Sequence, residues 1–282
     1  MTARASPCSG GSAGSGTHAI TDREFAKFKR FIFEAAGISL ADSKKALVSG
    51  RLARRLQHHG LASYTDYFNL LSGGQAPDEV QTAVDLLTTN ETYFFREPRH
   101  FDFLRELLGR FRAGGRPYRV WSAASSSGEE AYSIAMMLAD VLGDAPWEVI
   151  GTDISTRVVE RARAGHYPRE RGERIPKEYL KRFCLRGIGR REGTLLVNPA
   201  LRARVRFMQA NLNTRLPDLG TFDVVFLRNV LIYFDSDTKR AVVERVSAHL
   251  PHGGHLFIGH SETLNDLTSV VRPVSPAIYR KP

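Results

Sequence analysis

The sequence is poor in cysteine and contains no long hydrophobic run. Its two cysteines, Cys8 and Cys184, lie far apart, which argues against a structural disulfide, and two are too few for a cysteine-based zinc site. No apolar run is long enough to span a membrane. The Ser/Gly-rich start, Met1–Thr17, lacks the hydrophobic segment of a secretory signal, so we predict a disordered tail over residues 1–18. These features predict a cytoplasmic protein with no membrane insertion and no bound metal.

The triple-glycine motif of dinucleotide-binding folds is also missing. The stretch Tyr118–Leu142 has the order that opens a nucleotide-binding βαβ unit: a buried strand, a turn of small residues and a helix. Its turn has one glycine, Gly128, and two carboxylates follow at once, Glu129 and Glu130. Acids at a helix start would repel a pyrophosphate. The pattern favours a cofactor with hydroxyls and an amine, such as S-adenosylmethionine; the alternative is a domain whose turn is merely tight.

An α/β pattern continues after this unit. Further main strands are predicted over Trp147–Thr152, Val205–Met208, Phe222–Leu227 and Leu256–Gly259, with a final strand at Ile278-Tyr279. Asp153 ends the second strand 25 residues after Gly128, close to where dinucleotide folds place a ribose-binding carboxylate. Polar or aromatic residues that follow the later strands are Asn211, Arg228, Asn229 and Tyr233. Because open α/β sheets bind ligands at the carboxyl ends of their strands, we expect all of these on one rim.

An all-helical module is predicted over residues 19–89. Its helices are expected at Thr21–Gly37, Ser43–His59, Ser63–Leu71 and Pro77–Leu87, the first with a Thr21/Glu24 capping box. No acid interrupts the second helix, whose basic residues are Lys44, Lys45, Arg51, Arg54 and Arg55. Since the chain has a net charge of +10, this basic face is a hypothesis for docking onto an acidic partner. The alternative is an ordinary solvated helix surface.

Two further segments complete the organisation. A connector and helix, residues 90–117, place Asn90, Thr92 and Arg96 beside three aromatic residues, an arrangement that suits an adenosyl ligand. Residues 166–204 interrupt the α/β domain, 118–282, with glycines at 187, 189 and 193 before Thr194–Val197. This punctuation predicts an inserted subdomain of short antiparallel strands. Its strand edges could bind a peptide, or the insertion could be a surface excursion without function.

Several motifs together resemble one family. NETYFFRE, WSAASSSGEEAYSIAM, GTDIS, QANL and RNVLIYF stand in the order and spacing of the bacterial chemotaxis receptor methyltransferases, the CheR family. The resemblance covers roughly residues 20–280, with departures at Ala131, where the family usually has Pro, and at Ser127, where it often has Thr. It implies a class I, Rossmann-like methyltransferase domain with a small antiparallel insertion, preceded by an all-α domain. It also implies methyl transfer from S-adenosylmethionine to glutamate side chains of chemoreceptors.

The resemblance also implies roles for individual residues. The cofactor site would contain Asn90, Thr92, Arg96, Glu129, Glu130, Asp153, Asn211, Leu212, Arg228 and Asn229. Arg96 and Tyr233 would lie near the transferred methyl group. Because a glutamate with an ordinary pKa of about 4.3 is already ionised at neutral pH, no general base is expected. The implied partners are the acidic helices of cytoplasmic receptor domains, and a receptor C-terminal peptide is a further candidate for the inserted subdomain.

Two other functions fit the same residues. An RNA or DNA methyltransferase would share the fold and explain the positive charge. However, RNVLIY lacks the Asn/Asp-Pro-Pro-aromatic pattern that acts on exocyclic base amines, so no nucleic-acid partner is predicted. A non-catalytic module that senses S-adenosylmethionine would need the same cofactor residues, and the residues alone do not separate it from an enzyme.

Overall fold

The computed structural model describes residues 19–112, 114–265 and 267–282, so the predicted tail lies outside the described residues. Within these ranges no helix combines the length and apolar character needed to cross a membrane. Four helices come first: α1 Asp22–Ala36, α2 Lys45–His58, α3 Tyr64–Ser72 and α4 Pro77–Leu87. Their apolar faces meet around the fully buried side chains of Phe28, Ile32, Val48 and Leu52.

The boundaries of the first two helices follow local chemistry. Thr21 and Glu24 each accept a hydrogen bond from the other's backbone N–H, and Gly37 ends α1 in the left-handed region at φ 73°. The predicted capping box and glycine stop are therefore confirmed. Helix α2 begins two residues later than predicted because Asp42–Lys44 forms a 3₁₀ turn.

A seven-stranded sheet forms the centre of the remaining chain. Its strands are β1 Tyr118–Ala123, β2 Trp147–Asp153, β6 Val205–Gln209, β7 Val224–Leu227, β8 His255–Ile258, β9 Arg272–Ser275 and β10 Ile278–Arg280. They lie in the order β6-β2-β1-β7-β8-β10-β9; the first five are parallel, and β10 is antiparallel to both its neighbours. The predicted strands are confirmed. Strand β9 was not predicted because it is a mostly exposed edge strand without apolar alternation.

Helices cover both faces of this sheet. They are α5 Pro98–Arg110, α6 Glu129–Leu142, α7 Thr156–Ala164 and α10 Ser236–Ser247. Phe101 of α5 and Tyr132 of α6 belong to the core on one face, whereas Val242 and Val246 of α10 belong to the core on the other. The chain runs from β1 through β2 to β6 in one direction and then returns to place β7 on the other side of β1. Strand order therefore reverses between β1 and β7.

The inserted segment forms a small sheet of its own. Its elements are β3 His166–Pro168, α8 Lys177–Phe183, β4 Cys184–Arg186, β5 Thr194–Val197 and α9 Pro199–Arg202. The three strands are antiparallel in the order β3-β5-β4, which confirms the predicted antiparallel strands. Near β4, Leu185 is 47% exposed and Ile188 is 83% exposed. The predicted strand edge is thus accompanied by an exposed apolar surface.

Candidate active site

A cavity opens where the strand order reverses. Its empty space is about 840 Å³, a volume that includes space open to solvent. Ten of the eleven predicted site residues line it: Asn90, Thr92, Arg96, Glu130, Asp153, Asn211, Leu212, Arg228, Asn229 and Tyr233. The structure therefore brings together residues from the connector and from the carboxyl ends of β2, β6 and β7, while their individual roles stay predictions.

The remaining predicted residue, Glu129, does not line the cavity. Its side chain is buried, and its carboxylate accepts hydrogen bonds from the Ser127 hydroxyl at 2.7 Å and the Arg171 guanidinium at 2.8 Å. Arg171 belongs to the inserted segment and also donates to the Thr92 carbonyl at 2.9 Å. Glu129 thus joins α6 to the insertion, and of the two adjacent glutamates only Glu130 faces the cavity.

The small-residue turn after β1 is held in an unusual backbone conformation. Ala124, Ser126 and Gly128 have φ values of 62°, 49° and 96°. A Cβ atom at Gly128 would lie 2.8 Å from the Cβ of Ala162, so this turn requires glycine there. The Ser126 N–H donates to Asp153 and its hydroxyl to the Asn90 carbonyl, both at 2.9 Å. The turn is thereby fixed to β2 and to the connector.

Asp153 is a buried carboxyl group at the cavity wall. Its two oxygens accept backbone hydrogen bonds from Ser126 and Ser155, each at 2.9 Å. Burial, which outweighs these hydrogen bonds, raises the pKa of Asp153 to about 6. Each carboxylate oxygen keeps a second lone pair. An ionised Asp153 can therefore accept hydrogen bonds from ligand hydroxyls, as a ribose diol requires.

A buried arginine organises the charges beside the cavity. The Arg228 side chain is fully buried, and its guanidinium lies 3.1 Å from a carboxylate oxygen of both Glu130 and Glu97. The Ser122 hydroxyl donates to the other oxygen of Glu130 at 2.7 Å. Burial raises the pKa of Glu130 despite Arg228, whereas at Glu97 the opposing effect of Arg228, Asn229 and His260 leaves the pKa lowered. With both glutamates ionised, the trio carries one negative charge, which suits a cationic ligand.

Glu97 also belongs to a group with His100 and His260 whose ligand atoms lie within 4.8 Å of one another. Burial, the largest effect, lowers the pKa of His100 to about 3 and keeps that ring neutral. Three such ligands can hold a metal. However, the Arg228 guanidinium already lies against Glu97 and would repel a divalent cation. We therefore interpret the group as part of the ion-pair network behind the cavity.

Arg96 and Tyr233, the two residues predicted to lie near the transferred methyl group, both line the cavity. The Arg96 guanidinium donates to the Glu91 carbonyl at 3.2 Å and forms no salt bridge with any described residue. Tyr233 lies in a 3₁₀ turn, Leu231–Tyr233, that follows β7. Burial raises the pKa of Tyr233, so its hydroxyl is a hydrogen-bond donor at neutral pH.

The N-terminal helices contribute to the site, which the sequence did not predict. Ala36 and Ile38 line the cavity, and the Ser39 N–H donates to the Tyr233 carbonyl at 2.8 Å. Asn211 donates to the carbonyl of Ala35 at 2.7 Å. The other unpredicted lining residues are Thr88, Thr89, Glu91, Ala124, Ser126, Ile154, Ala210, Val230 and Phe234. Most of these are sequence neighbours of the motif residues, but no motif marks the end of α1.

Three of the basic residues on α2 already have partners within the protein. Arg55 pairs with Glu79 of α4, Lys45 pairs with Asp22 at 2.7 Å, and Arg51 donates to the carbonyls of Leu87 and Thr88. Acids absent from α2 are thus supplied by other elements. Of the five predicted docking residues, Lys44 and Arg54 are exposed and form no salt bridge within the described ranges. The docking hypothesis stays a prediction for all five residues, and these two are the ones without a partner among the described residues that a receptor acid would have to displace.

Comparison with known proteins decides the family. Residues 23–88 match the model of the CheR methyltransferase all-alpha domain, and residues 90–279 match that of the CheR methyltransferase SAM binding domain. The chain belongs to the CheR methyltransferase family. The family resemblance and the predicted fold class are thereby confirmed, and the cofactor of this CheR-family protein is S-adenosylmethionine.

Curated relatives agree over most of the chain. The chemotaxis protein methyltransferase of Escherichia coli K12 is 44% identical over 252 residues, 88% of this chain and 87% of the relative. Chemotaxis protein methyltransferase 2 of Pseudomonas aeruginosa is 43% identical over 262 residues, 92% of this chain and 93% of the relative. A solved structure of the glycopeptide N-methyltransferase MtfA with S-adenosylmethionine is only 20% identical, with a TM-score of 0.33 over 56% of this chain and 48% of that one.

The residues of the cavity fit this cofactor. The buried carboxyl of Asp153 offers acceptor positions for the ribose hydroxyls, and Glu130 offers negative charge for the sulfonium and ammonium groups. Ile38, Leu212 and Phe234 add apolar surface beside them. None of these features requires phosphates, in agreement with the prediction from the single-glycine turn.

Proposed function

We propose that this CheR-family protein transfers a methyl group from S-adenosylmethionine to glutamate side chains of chemoreceptors in the cytoplasm, giving glutamate methyl esters. The observation that carries the proposal is Arg96, a guanidinium without a carboxylate partner among the described residues, at the wall of the cofactor cavity. A carboxylate substrate would supply that partner. The names of the curated relatives, chemotaxis protein methyltransferases, support a role in chemotaxis.

The proposed reaction requires the protein to orient the two reactants and does not require it to transfer a proton. When bound, S-adenosylmethionine supplies a methyl group on a positive sulfur, so a carboxylate oxygen can form the O–CH₃ bond while the sulfur keeps the electron pair of the broken bond. No proton moves, and the acceptor needs no base. Arg96 would orient the carboxylate by charge-assisted hydrogen bonds, and the Tyr233 hydroxyl would position the attacking oxygen or the donor group. Such alignment can contribute up to roughly 7–11 kcal/mol.

Two surfaces are proposed to bring the receptor to the cavity. Lys44 and Arg54 would contact its acidic helix, and the exposed β4 edge with Leu185 and Ile188 would take up a receptor C-terminal peptide. Lys44→Glu with Arg54→Glu should raise the receptor KM about three- to tenfold and leave S-adenosylhomocysteine affinity unchanged. A loss of cofactor affinity in this variant would point to misfolding rather than to a docking role.

Labelled S-adenosylmethionine offered separately to receptor membranes and to total RNA tests the function. We expect alkali-labile methyl ester in the receptor fraction only. Label in RNA would favour the nucleic-acid methyltransferase, and cofactor binding without any transfer would favour a sensing module. At saturating cofactor, Arg96→Ala and Tyr233→Phe should each lower kcat at least about tenfold, since each removes an orienting hydrogen bond. Full turnover in both variants would show that neither residue has the proposed role.

A further inference from the structure

Two arginines and one tyrosine form a row that leads outward from the cofactor cavity. The guanidinium carbon of Arg96 lies 5.5 Å from the centre of the Tyr93 ring, and that of Arg174 lies 4.1 Å from the same centre. Arg96 lines the cavity, whereas Arg174, from the inserted segment, lines two open grooves beside it. Neither forms a salt bridge within the part of the chain described, although Arg171 and Arg182 of the same insertion do.

The backbone beneath this row is fixed. Arg171 donates to the Thr92 carbonyl at 2.9 Å while it pairs with Glu129, and the Phe95 N–H donates to the Ser133 hydroxyl at 2.9 Å. The backbone on one side of Tyr93 is thereby bonded to the insertion, and the backbone two residues after it is bonded to α6. Because both guanidinium carbons are measured from one ring centre, they are no more than 9.6 Å apart, the sum of the two distances.

We propose that Arg174 binds a second acidic side chain on the helix that carries the acceptor glutamate, and so selects glutamates with another acid three, four or seven residues away. The inference rests on the proposed function. A helix rises about 1.5 Å per residue, so acids one turn apart are about 4.5–6 Å apart along the axis and acids two turns apart about 10.5 Å. Long glutamate and arginine side chains accommodate either spacing, with Arg96 at the acceptor and Arg174 at its neighbour.

Carboxylates on both sides of Arg174 restrict where the second acid of the receptor helix can bind. Glu170 and Glu173 border the groove on one side of it, and Glu178 borders the groove on the other. The two other guanidiniums that line these grooves, Arg171 and Arg105, are already paired with Glu129 and Asp140. A partner acid beside the groove carboxylates would be repelled, so the surface favours an acid at Arg174 over negative charge in general. The half-buried Phe95 and the exposed Pro98 also line the groove that contains Glu178, and they offer apolar surface to the apolar face of an amphipathic helix.

A soluble cytoplasmic receptor fragment with a single acceptor glutamate tests the proposal. The acids three, four and seven residues from the acceptor glutamate are either kept as Glu or changed together to Gln. Arg174→Ala should raise the fragment's Kd for cofactor-free protein and its KM about three- to tenfold, with kcat and S-adenosylhomocysteine affinity unchanged, and Arg174→Lys should restore part of the loss. Arg161→Ala, which removes an exposed charge from α7 outside these grooves, is the matched control and should behave as wild type.

Measuring each enzyme variant with each receptor-fragment variant, as a double-mutant cycle, tests whether Arg174 pairs with the neighbouring acids. Neutralising the neighbouring acids should weaken binding to the wild type and have no further effect on Arg174→Ala. Equal Kd values for Arg174→Ala and wild type, or equal effects of neutralisation in both, would overturn the proposal. A wild-type protein that binds the fragment but transfers no methyl would contradict the proposed function, while the Kd comparison would still decide the role of Arg174.

Discussion

At the scale of single residues, the site depends on charged groups that are buried before any ligand arrives. Asp153 is 6% exposed and Arg228 is 4% exposed. Such groups are costly unless hydrogen bonds and opposite charges compensate them, which is why the backbone N–H groups of Ser126 and Ser155 point at Asp153. The sequence predicts the place of Asp153 at the cavity wall, because an acid at the end of β2 follows from strand position alone; its role in binding the ribose stays a prediction.

The raised pKa of Asp153 predicts a pH dependence of cofactor binding. Above about pH 6 the carboxylate is ionised and can accept ribose hydroxyls, whereas below that pH the proton removes an acceptor position. S-adenosylhomocysteine affinity should therefore fall as the pH drops below about 6, by up to about tenfold per unit at the limiting slope. Isothermal titration calorimetry from pH 5 to about 8 measures this.

An isosteric substitution provides the control for this pH dependence. Asp153→Asn cannot ionise, so its affinity should be lower at neutral pH and nearly flat across the same range. The substitution also places an amide nitrogen against one of the two backbone donors, so folding must be checked by circular dichroism. An unchanged pH slope in a folded Asp153→Asn protein would show that another group titrates.

At the scale of secondary structure elements, α7 begins with a cap from a distant helix. Sequence position makes Ser155 the expected cap, but its buried hydroxyl has no hydrogen-bond partner among the described residues. Asp85 of α4 instead accepts from the N–H groups of Thr156 and Arg157 at 3.1 and 3.2 Å, and from the Thr156 hydroxyl at 2.9 Å. The Ser155 side chain therefore does not cap α7, because α4 places a carboxylate where the serine hydroxyl would act.

Paired substitutions separate the two candidate caps. Asp85→Ala removes the acceptor for two helix-start donors and should lower the free energy of unfolding by about 1–2 kcal/mol. Ser155→Ala removes only an unsatisfied buried hydroxyl and should be close to neutral. Urea unfolding of both variants measures the difference. If Ser155→Ala is the more destabilised, the serine and not Asp85 caps α7.

The elements themselves were largely predictable from sequence, whereas contacts between distant elements were not. The capping box of α1, the strands β1, β2, β6, β7 and β8 and the glycine turn at Gly128 all follow from local patterns. The pairs Asp85–Thr156 and Arg51–Leu87 join residues 71 and 36 positions apart. No single-sequence periodicity encodes such pairs, so the sequence predicts Arg51 only as part of a basic helix face.

At the scale of the whole molecule, the N-terminal helices and the sheet form one cavity. Ile38 pairs with Phe234 in an isolated antiparallel bridge, and both side chains line the cavity. Gly37 permits this approach, since a Cβ there would lie 2.8 Å from a methyl group of Thr238. The sequence predicts the cavity-lining residues of the sheet rim but assigns the helical module only to docking.

This shared cavity predicts that cofactor binding protects both parts from hydrogen exchange. The Ser39 and Ser126 amides donate across the cavity wall, to Tyr233 and Asp153, so openings that expose either amide should release the ligand. At a S-adenosylhomocysteine concentration of about 100 times Kd, local exchange should slow by about a hundredfold, since the stabilisation is about 2.7 kcal/mol.

Hydrogen-exchange mass spectrometry of segments 36–40 and 124–128 measures the exchange rates of the two amides. Segment 64–72 of α3, which does not line the cavity, is the control and should keep its local exchange rate. Protection of 124–128 without 36–40 would mean that the N-terminal helices bind the sheet but take no part in holding the cofactor.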